Sequence, residues 1–298
     1  MDWSLVRPSF IENEKGILPC PEDYSPCVCG DYPTFGLYVI CEAVSIENIV
    51  SVFNRTTDTD IFWLQLRPLP TVEGRGVALP ADLLSGKRAR AIDLYCPNVV
   101  NGDLFRLTID PLALSSSEDL MEYFYVLGCD LSQQTNFNFL TGFNKLYNLY
   151  LYGSTNVQGI QNLPSLPNLD TLSINQCTGL DLITNFPGQS VPGLLQVYLT
   201  DNNLDDQTTE RILTSIVSSA SVNTLNTLSL AYNRLTKIPP QVLSFTQLKD
   251  LSLSGNNLPF IPSASLALKA PRIDRLALTN VSLTDIEPGA LRSITFYY

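Results

Sequence analysis

A short leucine pattern, L-x-L-x-x-(N/C)-x-L, recurs along this chain at intervals that suit a stack of similar coils. It is clearest in "LSINQCTGL" from Leu172, "VYLTDNNL" from Val197, "LSLAYNRL" from Leu228 and "LSLSGNNL" from Leu251. Successive starts at 149, 172, 197, 228, 251 and 276 lie 23, 25, 31, 23 and 25 residues apart. Weaker copies begin at Phe124, Ile92 and Leu64, and a partial strand, "SITFYY", ends the sequence. The count is about nine repeats plus that remnant, each one a supersecondary unit too small to bury its own apolar face.

In each short strand the alternate leucines point inward, and stability comes from stacking one unit on the next. The period is that of leucine-rich repeats. It predicts an α/β solenoid curved like a horseshoe, with a parallel concave sheet and a mixed 3-10, extended and helical convex side. Asn202, Asn233 and Asn256 fall at the turn position, where an inward amide pairs with backbone groups that would otherwise be buried alone. Cys129, Ser154 and Cys177 hold the same ladder position in earlier repeats. For the two cysteines a small, inert ladder residue is the favoured reading. Cys96 lies one residue out of register in the neighbouring strand, so a Cys96–Cys129 disulfide stays open beside it.

The convex returns differ. Pro239 and Pro240 in "LTKIPPQVLSFTQL" forbid a regular helix, which leaves an extended or 3-10 passage. The 31-residue unit carries "DDQTTERILTSIVSSAS", with acidic caps at Asp205 and Asp206 and apolar positions at Ile212, Ile216 and Val217, and predicts an α-helix.

Ahead of the repeats, "CPEDYSPCVCGDYPTFGLYVIC" packs Cys20, Cys27, Cys29 and Cys41 into 22 residues. Structural zinc sites favour CxxC pairs, and the close pair here is CxC, so disulfides are favoured over a metal. Disulfides imply an oxidising compartment. "MDWSLVRPSF" lacks the apolar core of a signal peptide, so a secretion signal is expected to have been removed. Sequons at Asn54 and Asn280 agree weakly with secretion. No apolar run approaches the length of a membrane span.

Composition narrows the function. With no histidine, Ser-His-Asp and Cys-His catalysis and histidine zinc sites are excluded. A net charge of −11, without a basic run, argues against nucleic acid. "EGRGVAL" has Gly74 and Gly76 but neither the third glycine nor the strand-to-helix setting of a nucleotide loop. No cofactor or metal is expected.

The spacing of Cys20, Cys27, Cys29 and Cys41, followed by "EAVSIENIVSVFN" and the repeats, resembles the amino-terminal cap of extracellular leucine-rich-repeat proteins. "CPEDYSPCVC" is similar to a group of secreted arthropod proteins that includes the non-catalytic subunit of a deep-sea shrimp luciferase. The resemblance implies Cys20–Cys29 and Cys27–Cys41 pairs that cover the first repeat, and a binding or stabilising role without catalysis. It divides the chain into an extension (1–19), a cap (20–58) and the repeats (59–298). Such proteins often end in a second cysteine-rich module. None follows Cys177, so the last strand is expected to be truncated, shielded by its own tail, or paired with another molecule.

"LYNLYLYGSTN" alternates tyrosines with core leucines. The strand register puts Trp63, Tyr95, Tyr123, Tyr125, Tyr150, Tyr152 and Tyr198 on the concave face. Tyrosines serve well as strand formers alone. Later repeats, however, carry Thr171, Ser173, Thr227, Ser229, Ser252 and Ser254 on this face, so aromatics are not needed to build it. The contrast favours a binding surface for a protein partner, with carbohydrate as the second ligand class. The partner could be a catalytic subunit that this chain stabilises, or a second copy at the carboxy-terminal edge.

Overall fold

The computed structural model describes residues 18–57, 60–69, 76–96, 104–270 and 273–291. The expected "SITFYY" strand, Gly74 and nearly all of the extension lie outside them. Among these residues one eleven-stranded sheet runs through the molecule. Its strands are β1 (Val28–Tyr32), β2 (Gly36–Val44), β3 (Asp60–Pro68), β4 (Arg88–Tyr95), β5 (Tyr123–Leu127) and β6 (Asn148–Tyr152). They continue as β7 (Thr171–Asn175), β8 (Gln196–Tyr198), β9 (Thr227–Ser229), β10 (Asp250–Ser252) and β11 (Arg275–Ala277).

From β2 onward each strand pairs in parallel with the next in the chain. The nine starts read from the leucines fall in β3 to β11, and β2 adds one parallel strand that the pattern missed. The register stacks leucine on leucine: Leu149 opposes Leu172, which opposes Val197, then Leu228, Leu251 and Leu276. Leu149, Leu172, Leu228 and Leu251 are fully buried, each contributing about 1.5–3 kcal/mol from burial.

The ladder residues satisfy the turns between coils. Asn233 Oδ1 accepts from the backbone N–H groups of Asn202 (3.1 Å) and Leu204 (3.0 Å). Asn202 Oδ1 accepts from Cys177 N (2.9 Å), and Asn256 Oδ1 from Leu235 N (3.0 Å). Ser154 Oγ accepts from Cys129 N (3.2 Å) and donates to the Tyr152 carbonyl. Cys177 is a free thiol inside this ladder, and burial pushes it up to about 12.

At the amino end, β1 and β2 form an antiparallel hairpin held by Cys20–Cys29 and Cys27–Cys41 disulfides. A third bridge, Cys96–Cys129, ties two consecutive coils, so Cys129 is both a ladder residue and a disulfide partner. Helix α1 (Ile46–Arg55) follows the hairpin, with Ser45 Oγ capping Asn48 N and with Ile46, Ile49, Val52 and Phe53 turned inward. Its carboxy end is closed by buried Lys87, whose Nζ donates to the carbonyls of Phe53 (2.6 Å) and Thr56 (2.7 Å). Beside it, Gly76–Leu79, Phe105–Ile109 and Cys129–Asp130 form a second parallel sheet.

The later returns follow the prolines. Pro240–Ser244 is a 3-10 turn, and α2 (Asp206–Val217) is a helix capped by Asp205, which accepts from Thr208 N (2.8 Å). Those bonds from Thr208 hold the Asp205 carboxyl below the usual carboxylate range. No described helix is long and apolar enough to cross a membrane.

Candidate functional site

In each L-x-L strand the residues before, between and after the two core positions turn to the open side of the sheet. Three columns therefore run across that face. One carries Tyr38, Trp63, Ala91 and Tyr123; the next carries Gln65, Asp93, Tyr125, Tyr150, Ser173 and Tyr198. The third includes Tyr95, Leu127, Tyr152 and Asn175.

Ala91 decides how the aromatic columns pack. Because it is small, the Trp63 indole spans the gap and lies nearly parallel to Tyr123 (6.5 Å, 17°) and Tyr125 (6.0 Å, 20°). Tyr125 in turn stacks on Tyr150 at 4.6 Å and 13°. Such pairs contribute about 0.5–1.5 kcal/mol each beyond their buried area. The chain of rings continues to the cap through Phe62, Phe35, Tyr38 and Tyr32. Trp63 and Tyr125 are each only 8% exposed. The face is thus layered: Trp63 and Tyr125 form its packed floor, and little of either is open to a ligand.

Tyr95, Tyr123, Tyr150, Tyr152 and Tyr198 remain half-buried. Tyr152 stands opposite Leu127, one column away from the stacked Tyr125 and Tyr150 rings. Tyr198 is separated from Tyr150 by the Ser173 strand and donates from its hydroxyl to Gln196 Oε1 (3.0 Å). Tyr95 is covered by the Arg67 guanidinium, 4.4 Å above its ring, and Arg67 also pairs with Glu42.

The phenols record these surroundings. Burial, with Tyr198 and Tyr123 near, pushes Tyr150 up to about 12. Burial and the neighbouring Tyr150 and Asp93 push Tyr125 higher still. Tyr152 is raised by burial and by Asp201, and Tyr198 by burial and by Asp250. All are hydrogen-bond donors at neutral pH, and the arrangement offers ring faces and hydroxyls rather than a nucleophile or base.

Sequence reasoning missed several members of this face. Gln65, which accepts from the Tyr38 hydroxyl (3.2 Å), and the largely buried Asp93 sit beside the rings. Their signal was the same register that found the tyrosines, applied to polar residues. Among the described residues no group of three or more Cys, Asp or Glu is arranged to hold a metal ion.

Both sequon asparagines are exposed: Asn54 lies in the last turn of α1 and Asn280 in the turn after β11. Thr56, the hydroxyl residue of the first sequon, is buried and donates to the Val52 carbonyl.

No family model matches the chain. It is similar to chaoptin of Tribolium castaneum, being 32% identical over 133 residues, which is 45% of this chain and 15% of chaoptin. The chain therefore spans a small part of that relative. The likeness is to a distant, partial homologue among arthropod leucine-rich-repeat proteins.

Proposed function

We propose that the chain is an extracellular, non-catalytic leucine-rich-repeat solenoid that recognises a protein partner through the face carrying Tyr150, Tyr152 and Tyr198. The observation that carries this reading is the contrast along one face. In the middle column, β5, β6 and β8 present Tyr125, Tyr150 and Tyr198, while β9 and β10 present Ser229 and Ser252. A half-exposed ring with a polar tip supplies large contact area at low entropy cost, which is why tyrosine is enriched at interfaces. Trp63 and Tyr125 act beneath it, with Tyr125 stacked on Tyr150, and the half-buried Tyr95 and Tyr123 extend the same face.

Three disulfides support an oxidising, extracellular setting, and partial similarity to chaoptin supports an interaction role. In this reading Asn54 and Asn280 carry glycans, the latter beyond the serine and threonine half of the face. The cap's resemblance to the non-catalytic luciferase subunit favours one more specific partner, a catalytic subunit that this chain stabilises.

The test is capture from extracellular fluid of the source organism on immobilised wild type and on a Tyr152→Ser, Tyr198→Ser variant with an unchanged circular dichroism spectrum. A protein retained by wild type and lost by the variant is expected, and assay of its activity tells an enzyme partner from a non-enzyme. Equal retention would remove this face from the account.

A further inference from the structure

Resting on the reading above that Asn280 carries a glycan, we infer that Tyr232 is the platform for it: the first N-acetylglucosamine on Asn280 packs its apolar face against the Tyr232 ring. In the turn after each strand, one residue per coil takes the left-handed backbone. Tyr232 does so at φ 55°, and Gly153, Gln176, Asp201, Gly255 and Asn280 hold the same place in neighbouring coils. Glycine, asparagine and aspartate suit that conformation, whereas a bulky side chain there is an outlier that costs stability. Tyr232 does not recover the cost by burial, since it is 56% exposed. A strained ring left in solvent points to a role outside the packing of its own coil.

The register gives that role a direction. Tyr232, Gly255 and Asn280 stand in consecutive coils, each three residues beyond the paired Ser229, Ser252 and Ala277. The rim keeps this register: Tyr232 N donates to the Ser254 carbonyl (2.7 Å) and Gly255 N to the Thr279 carbonyl (2.9 Å). Tyr232 and Asn280 share one backbone conformation (φ 55° in both), so their side chains leave the rim in similar directions. Two strand spacings, about 10 Å, separate their origins. Gly255 lies between them, and the Tyr232 ring covers it: a Cβ on Gly255 would collide with Cγ, Cδ1 and Cε1 of the ring. The ring therefore leans across the gap toward Asn280, whose own side chain is exposed.

A sugar on Asn280 thus meets an aromatic ring instead of open water. The linkage forms when Asn280 Nδ2 bonds to the anomeric carbon of a lipid-diphosphate glycosyl donor; the lipid diphosphate leaves and one amide proton is lost. β-Linked N-acetylglucosamine turns axial C–H bonds to one face, and their positive hydrogens are drawn to the negative face of the ring. The contact offsets what the tyrosine costs the turn, and it fixes the glycan along the rim.

The experiment uses the full chain secreted from eukaryotic cells behind an added leader, with the glycans trimmed by endoglycosidase to one N-acetylglucosamine. Peptide mass spectrometry reads occupancy of Asn280, and the sugar-free reference is Asn280→Gln. Gln176 takes the same turn at φ 53°, so glutamine keeps the backbone. Hydroxyl-radical footprinting is expected to show Tyr232 reacting roughly two- to fourfold more slowly with the single sugar present. Leu283, also exposed and three residues from Asn280, should change far less. The sugar should raise the melting temperature by about 2 °C in wild type and by nothing measurable in Tyr232→Asn, a residue suited to the left-handed turn.

An occupied Asn280 with Tyr232 equally reactive in both forms would overturn the inference while leaving the glycosylation reading intact. Protection of Leu283 as strong as that of Tyr232, or the same thermal gain in Tyr232→Asn, would overturn it in the same way. A bare Asn280 in the secreted protein would remove both.

Discussion

Asn233→Ala tests whether the inward amides hold the coils together. Asn233 is 8% exposed, and its side chain serves both sides of one turn. Oδ1 accepts from Asn202 N and Leu204 N, while Nδ2 donates to the carbonyls of Leu199 (2.7 Å) and Leu230 (3.0 Å). Alanine removes the amide and strands two buried N–H groups, at about 1–3 kcal/mol each. The expected loss is about 2–5 kcal/mol, placing the variant among severe single substitutions. Urea unfolding followed by circular dichroism measures it, with exposed Asn257→Ala, one residue from ladder Asn256, as a control expected to change by less than about 0.5 kcal/mol. Native-state hydrogen exchange should show the Asn202 and Leu204 amides losing protection first. A cost no larger than the control's, with both amides still protected, would refute the ladder argument.

Three further outcomes follow from particular contacts. Lys87→Met keeps the volume but strips the buried end of α1 of its donor, and thermal unfolding should report a loss of about 2–4 kcal/mol; an unchanged midpoint would mean the ammonium is not closing that helix. Ala91→Phe fills the gap that Trp63 spans, so Trp63 emission should shift to the red and stability fall by about 1–3 kcal/mol; unaltered emission would contradict the stacking. Tyr150, pushed up to about 12, and Tyr125, pushed higher, should ionise well above the ordinary phenol value of about 10. Because these folded-state values are raised, their stabilising contribution is complete below about pH 10 and is lost as pH climbs toward 12. Phenolate absorbance that rises in a single step near pH 10 in the folded protein would refute the buried stack.

What the sequence revealed depended on period. Leucines at fixed offsets located β3 to β11, and the turn asparagines disclosed the ladder, because both signals repeat. The helix from Asp205 was legible through its cap and apolar spacing. α1 carried equal signals, Ser45 ahead of Ile46, Ile49, Val52 and Phe53, yet sat among cysteines that drew attention to disulfides instead. The second sheet was hidden because "GVAL" is too short to declare itself without its partners in two later coils. At the site, register placed the tyrosines on one face but could not say how deep each one lies. Depth depends on Ala91, whose small size lets the Trp63 indole lie nearly parallel to Tyr123 and Tyr125.

The central claim, that the outer tyrosines are a recognition surface, is tested most directly by hydroxyl-radical footprinting of the protein alone and bound to its captured partner. The account predicts that Tyr150, Tyr152 and Tyr198 lose reactivity on binding, while exposed Tyr232 in the next coil is less affected and Leu182 on the opposite flank keeps its reactivity. Protection at Leu182 with the three tyrosines unchanged would contradict it.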